Sequence, residues 1–178
     1  CRHRPDLRET GSLVGALAMA LVGVLIAWRV LAGATLEATL APLIPGAPLL
    51  LRADAFGALF AAMASGLWVL TTIYSIGYMR GNREHAQTRY YFWFAVCLLA
   101  VGGLSMAGNL PTFFLFYELL TVATYPLVVH KGDAEALAAG RKYLTYALGA
   151  GLMLLLGIVS VHVAAGDTAL RPGGILPH

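Results

Sequence analysis

The chain has 178 residues, of which 59% are hydrophobic and 12% charged, with a formal net charge of +3. A soluble domain carries about 25% charged residues, so this composition excludes a surface covered wholly by water. It requires one that faces lipid.

A helix needs about 20 apolar residues to cross the hydrocarbon core of a bilayer. The first such span is predicted over residues 11–31, with Arg29 near its far end, where a long side chain can snorkel to the headgroups. Residues 32–53 hold Pro42, Pro45 and Pro48, which exclude a regular helix and predict an outer Pro-rich loop, extended or turn-rich. Asp54 stands where an N-cap is needed for a second span over 55–79.

The run from Tyr90 to Tyr117 is unbroken by charge, and with its continuation to His130 it is too long for one crossing at about 1.5 Å per residue. Gly108-Asn109-Leu110-Pro111 divides it, because Gly and Asn favour a helix C-terminus and Pro is tolerated in a first turn. Spans are therefore predicted at 90–109 and 110–130. Asp133 is placed to cap a short interfacial helix over 134–139 that leads into a fifth span, 143–166. The expected fold is all-α: a polytopic membrane helix bundle forming a single membrane unit over 1–178, with residues 171–178 as loop.

The basic residues alternate along this layout. Arg2, Arg4 and Arg8 precede the first span, Arg80, Arg83 and Arg89 lie between the second and third, and Lys131, Arg141 and Lys142 lie between the fourth and fifth. Five crossings put all three groups on one face, which the positive-inside rule makes cytoplasmic. The N-terminus of this chain is then expected inside and its C-terminus outside. Cys1 is terminal and Cys97 lies in an apolar run, which argues against a disulfide and leaves Cys97 as a packing residue. A chain opening with Cys1 rather than Met is expected to be part of a longer one, and no cleavable signal is expected.

Glu118 is the residue that needs a chemical explanation. It lies eight positions after Leu110 and twelve before His130, near the middle of its span. A charge at that depth costs about 3 kcal/mol on insertion scales, and intramembrane carboxylates mark ion or proton pathways. The plainer reading is a protonated carboxyl that only packs. Thr121 and Tyr125 follow at i+3 and i+7 and give a polar stripe on the same face. Pro126 removes a backbone donor and loosens the helix beside it.

Other residues carry two readings each. Lys142 and Arg141 either anchor the fifth span at the headgroups, or Lys142 turns inward and relays protons toward Glu118. His162 is either interfacial or an outer relay group. Tyr74, Tyr78, Tyr90, Tyr91 and Trp93 suggest an aromatic belt, and Ala147 with Gly151 a small-xxx-small helix contact. No Gly-rich phosphate loop, metal-spaced His/Cys cluster or nucleophilic triad is evident, so no cofactor, metal site or nucleic-acid partner is expected, nor an enzyme in its own right.

Three stretches carry a family resemblance: Leu51-Arg52-Ala53-Asp54-Ala55-Phe56-Gly57, Thr72-Ile73-Tyr74-Ser75-Ile76-Gly77-Tyr78-Met79-Arg80, and Gly108-Asn109-Leu110-Pro111-Thr112-Phe113-Phe114-Leu115-Phe116-Tyr117-Glu118-Leu119-Leu120. They resemble the antiporter-like membrane subunits, which include the proton-pumping subunits of complex I, the A-type and D-type subunits of Mrp-type cation/proton antiporters, and membrane subunits of energy-converting hydrogenases. Tyr117 to Val128, with Gly140-Arg141-Lys142-Tyr143-Leu144 after it, is most similar to the D-type branch of the Mrp antiporters.

The resemblance implies a larger parent of about fourteen helices in inverted repeats, in which these spans are the second to the sixth. It implies that Glu118 is the family's essential glutamate, whose lysine partner lies on a helix this chain does not contain. Leu148 and Gly151 stand roughly where complex I's largest subunits carry an arginine and an aspartate, a departure that favours the D-type branch. The implied function is proton translocation in a bacterial inner membrane, alongside other integral subunits and with or without Na+. The alternative is a non-transporting subunit that organises a respiratory or hydrogenase complex.

Overall fold

The computed structural model describes residues 5–44, 47–82, 84–171 and 174–175. In chain order they form α1 (Pro5–Leu31), β1 (Leu36–Ile44), β2 (Ala47–Ala53), α2 (Ala55–Gly81), α3 (Gln87–Ser105), α4 (Leu110–Val128) and α5 (Ala134–Ala165). α1 packs most extensively on α2 and α3 on α4, α5 leans on α4, and the α2–α3 seam is thinner. Four of the helices, all but α3, are long and apolar enough to cross a membrane. α3 has 19 residues, about 28 Å of helix and close to the hydrocarbon thickness, but Gln87, Thr88 and Arg89 make its first turn polar.

The bundle is packed the opposite way round from a soluble one. Between α1 and α2 most buried positions are small or hydroxylated: Ala16 and Ala27 on α1, and Ala58, Ala61, Ser65, Thr72 and Ser75 along one face of α2. Leu21, Trp28, Leu67, Leu70, Met153, Leu156 and Val163 point outward. Large side chains gain nothing by leaving lipid, so van der Waals contact between closely approaching backbones decides what faces inward. A Cβ on Gly23 would sit 2.8 Å from Ser65 Oγ and 3.2 Å from Ala62 Cα, which shows how close α1 and α2 lie.

The segment expected as a Pro-rich loop is an antiparallel hairpin, β1 with β2. Pro42 and Pro48 face each other at a point where the register slips, so neither is asked for the ladder donor it lacks. Pro45 lies outside the described residues. β2 then docks on the α3–α4 turn: Arg52 N donates to the Met106 carbonyl (2.7 Å), Gly108 N to the Leu50 carbonyl (2.8 Å), and Leu50 N to Thr112 Oγ1 (2.9 Å). On the other side Leu110 N donates to the Thr168 carbonyl (2.9 Å) and Leu170 N to the Gly108 carbonyl (3.0 Å). The turn is thus held between the hairpin and the strand-like tail of α5, which satisfies backbone groups that no helix serves.

Two local expectations differ. α3 ends at Ser105, and Asn109 does not end it but caps α4, accepting from Thr112 N at 2.8 Å. Its short polar side chain is more useful at a helix start, where free N–H groups need an acceptor. Asp133 does act as a cap, accepting from Ala136 N at 2.7 Å, but the helix it opens runs unbroken for 32 residues. No residue between 139 and 143 interrupts it, so the interfacial helix and the span are one.

Candidate functional site

The α4–α5 interface is built by pairing bulky or polar residues of α4 with glycines of α5. Glu118, Thr121 and Tyr125 lie within about 60° of one another on α4. Gly140 and Gly151 are eleven residues apart on α5, three turns with about 20° left over, so both face α4. Each is buried. A Cβ on Gly140 would overlap Val129 and come 2.9 Å from Tyr125 Cε2. One on Gly151 would overlap Glu118 Oε1 and come 3.1 Å from Glu118 Cδ. The Glu118 carboxyl therefore rests on bare backbone of α5, half-buried and one helical turn from exposed Val122.

Polar groups one to two turns further along α4 are ordered. Thr121 is buried, and its carbonyl accepts from Tyr143 Oη at 3.3 Å. Thr124 Oγ1 donates to the Leu120 carbonyl (2.9 Å) and also bonds Tyr143 Oη. Tyr143, which its place in the sequence did not single out, is thus the side chain by which α5 reaches α4 one to two turns beyond Glu118. Pro126 lies in the last turn of α4, which ends two residues later at Val128.

The remaining residues of interest are not gathered here. Lys142 is exposed, and nine residues from Gly151 amount to half a turn beyond whole turns, so it projects from the side of α5 away from Glu118. His162 is exposed in the last turn of α5, about 16 Å along the axis from Gly151. Asp54 caps α2, accepting from Gly57 N at 2.6 Å. Of the suggested aromatic belt, Tyr74 and Tyr78 are exposed, whereas Tyr91 is buried.

A second carboxylate gave no signal in the sequence. Glu9 is 4% exposed on α1, where Arg80 Nε donates to it at 3.1 Å and Arg8 Nη2 at 3.3 Å. Arg80 also pairs with Asp6, and Arg8 bonds Gln87 at the start of α3. Arg89 Nη2 reaches the His130 carbonyl at 3.1 Å. These bonds tie the start of α1, the end of α2, the start of α3 and the end of α4 into one layer, so the basic residues among them share a face of the bundle. Arg2, Arg4 and Arg83 lie outside the described residues.

The same layer brings Glu84, His85 and His130 together, with a ligand atom of each within 4.8 Å of the others. Residues 45 positions apart give no metal-spacing signal, which is why the sequence showed none. Burial, then the neighbouring His85 and the Arg89 cation, push the His130 imidazole below its ordinary value, leaving it neutral at neutral pH.

Residues 107–172 match the family described as NADH:quinone oxidoreductase/Mrp antiporter, TM. A D-type Na(+)/H(+) antiporter subunit of Alkalihalophilus pseudofirmus is 29% identical over 132 residues, covering 70% of this chain and 26% of that protein. Among solved structures, the archaeal membrane-bound sulfane sulfur reductase complex has a chain that superposes with a TM-score of 0.77 at 20% identity, over 93% of this chain and 35% of that one. The Mrp complex from Dietzia sp. DQ12-45-1b superposes at 0.74 with 22% identity, over 93% and 31%. The chain spans about a quarter of the length of the Alkalihalophilus protein and about a third of those structural neighbours. The matched residues 107–172 hold Glu118, Tyr143 and Gly151, so this stretch is the part that resembles the NADH:quinone oxidoreductase/Mrp antiporter family, while the helical fold of the two solved neighbours extends over nearly the whole chain.

Proposed function

We propose that this chain forms part of a proton-translocating antiporter subunit of the Mrp D type, in which Glu118 binds and releases the proton. One observation carries the reading: the Glu118 carboxyl is seated against the Cβ-free backbone of Gly151, in mid-helix. No side-chain hydrogen bond or ion pair holds it among the described residues. A carboxylate fully satisfied by arginine would be locked in its charged state. One packed on backbone, with no such partner, is free to answer a change of charge on a neighbouring helix. That charge would come from a cation on a helix outside this chain.

Thr121 and Tyr125, on the same face as Glu118, and the Thr124–Tyr143 bond would line the route of the proton, with Lys142 and His162 at most at its ends. In this reading the basic face is cytoplasmic, the membrane is a bacterial inner membrane, and the partners are other integral subunits of an Mrp-, complex I- or hydrogenase-type assembly. The experiment is proton and Na+ transport in vesicles by the full-length complex carrying Glu118→Gln. A fall of at least tenfold with subunits still co-purifying is expected. Wild-type transport would remove the role, and transport intact with lost co-purification would favour an organising subunit instead.

A further inference from the structure

We propose that Glu84, His85 and His130 form a binding site for a divalent transition-metal ion of the zinc class, clamping the α2–α3 loop to the end of α4. The site is separate from Glu118, twelve residues and about 18 Å along α4 from His130, and does not depend on the role given to that residue.

Three features of the cluster converge. Two imidazole nitrogens and one carboxylate oxygen lie within 4.8 Å of one another, with His85 Nδ1 4.0 Å from Glu84 Oε2. Two imidazoles bound to one ion at about 2.0–2.1 Å in a near-tetrahedral arrangement have ring centres about 5 Å apart. The centroids of His85 and His130 are 5.1 Å apart, with planes 20° from parallel. Both ring nitrogens of His130 are shielded from solvent and make no hydrogen bond of normal geometry, the nearest donor or acceptor being the His85 backbone. Such a buried imidazole is destabilising, and an ion on one nitrogen removes part of the deficit.

The ligands are also held in position from behind. Gln87 Nε2 donates to the carbonyls of Glu84 (3.0 Å) and Met79 (3.1 Å), and Glu84 N donates to the Met79 carbonyl (3.1 Å). Ala86 turns the chain there in the left-handed region, at φ 48°. On the other side Arg89 bonds the His130 carbonyl and the edge of the Tyr90 ring packs on the imidazole, centroids 5.6 Å apart. Two nitrogens and one oxygen suit zinc and its neighbours rather than magnesium or calcium, and three protein ligands leave a fourth position open to water. The nearby Arg89 and Lys131 cations work against the ion, and the Glu84 carboxylate offsets one of them.

The test uses the full-length protein in detergent, stripped of metal and titrated with Co2+, whose tetrahedral absorption reports the ligand set, followed by displacement with Zn2+. One equivalent should bind and be displaced. His85→Ala, at an exposed position that should not disturb folding, should weaken binding at least tenfold, His130→Ala likewise, and Glu84→Gln less. Zn2+ should protect the α2–α3 loop from protease in the wild type and not in His85→Ala. Co2+ binding by the wild type no tighter than by the His85→Ala/His130→Ala double variant, or absorption unchanged by the substitutions, overturns the site.

Discussion

Glu9 and Glu118 are both carboxylates on apolar helices, yet their surroundings differ in every respect that sets chemistry. Glu9 lies at one end of α1, 4% exposed, and two arginines donate to it. Glu118 sits in mid-helix, half-buried, against Gly151, with no arginine among its described partners. A carboxylate held between guanidinium groups is fixed in place, which suits a clamp between helix ends. One resting on bare backbone has no such partner to hold it, which is what the proposed transport role asks of Glu118. Depth and partner therefore divide one functional group between structure and proposed transport.

Gly151→Ala sharpens this contrast most. The added methyl meets the far end of the Glu118 side chain, which can swing aside, and Ala favours helix by up to about 1 kcal/mol over Gly. Transport by the full-length complex is expected to fall ten- to a hundredfold while thermal stability in detergent holds or rises. Unchanged transport would show that the seat of the carboxyl does not matter.

Glu9→Gln should do the reverse. Removing one partner of a buried pair costs about 3–5 kcal/mol. Because the Arg80 side chain is 51% exposed and rehydrates, a loss well below that range is expected. Denaturant unfolding of the purified protein measures it, with transport per folded molecule unchanged. A smaller effect is expected from Tyr143→Phe, which deletes the hydroxyl that bonds Thr124 and the Thr121 carbonyl. About 1 kcal/mol of α4–α5 stability should go, along with a modest fall in transport that measures how far the hydroxyl pair serves the proton route.

Much of the helical layout was legible because a membrane helix announces itself by length and apolarity alone. Asp54 as a cap was legible too, since capping is a local matter of a short acceptor before free N–H groups. Asn109 was misread because Gly-Asn before Pro fits either a helix end or a helix start, and only the bond to Thr112 N decides. The hairpin was hidden by its prolines, of which Pro42 and Pro48 face each other where the ladder slips.

Composition and pattern by themselves determined that the chain is a membrane helix bundle and that Glu118 falls near the middle of one of its apolar helices. Tertiary structure alone decided what that carboxylate touches, that Lys142 turns away from it, that Glu9 meets Arg80, and that His85 reaches His130. The physical reason is that helices apolar on every side carry no stripe to mark an inner face. Their rotation is set by which small residues let two backbones approach, and that depends on both helices at once.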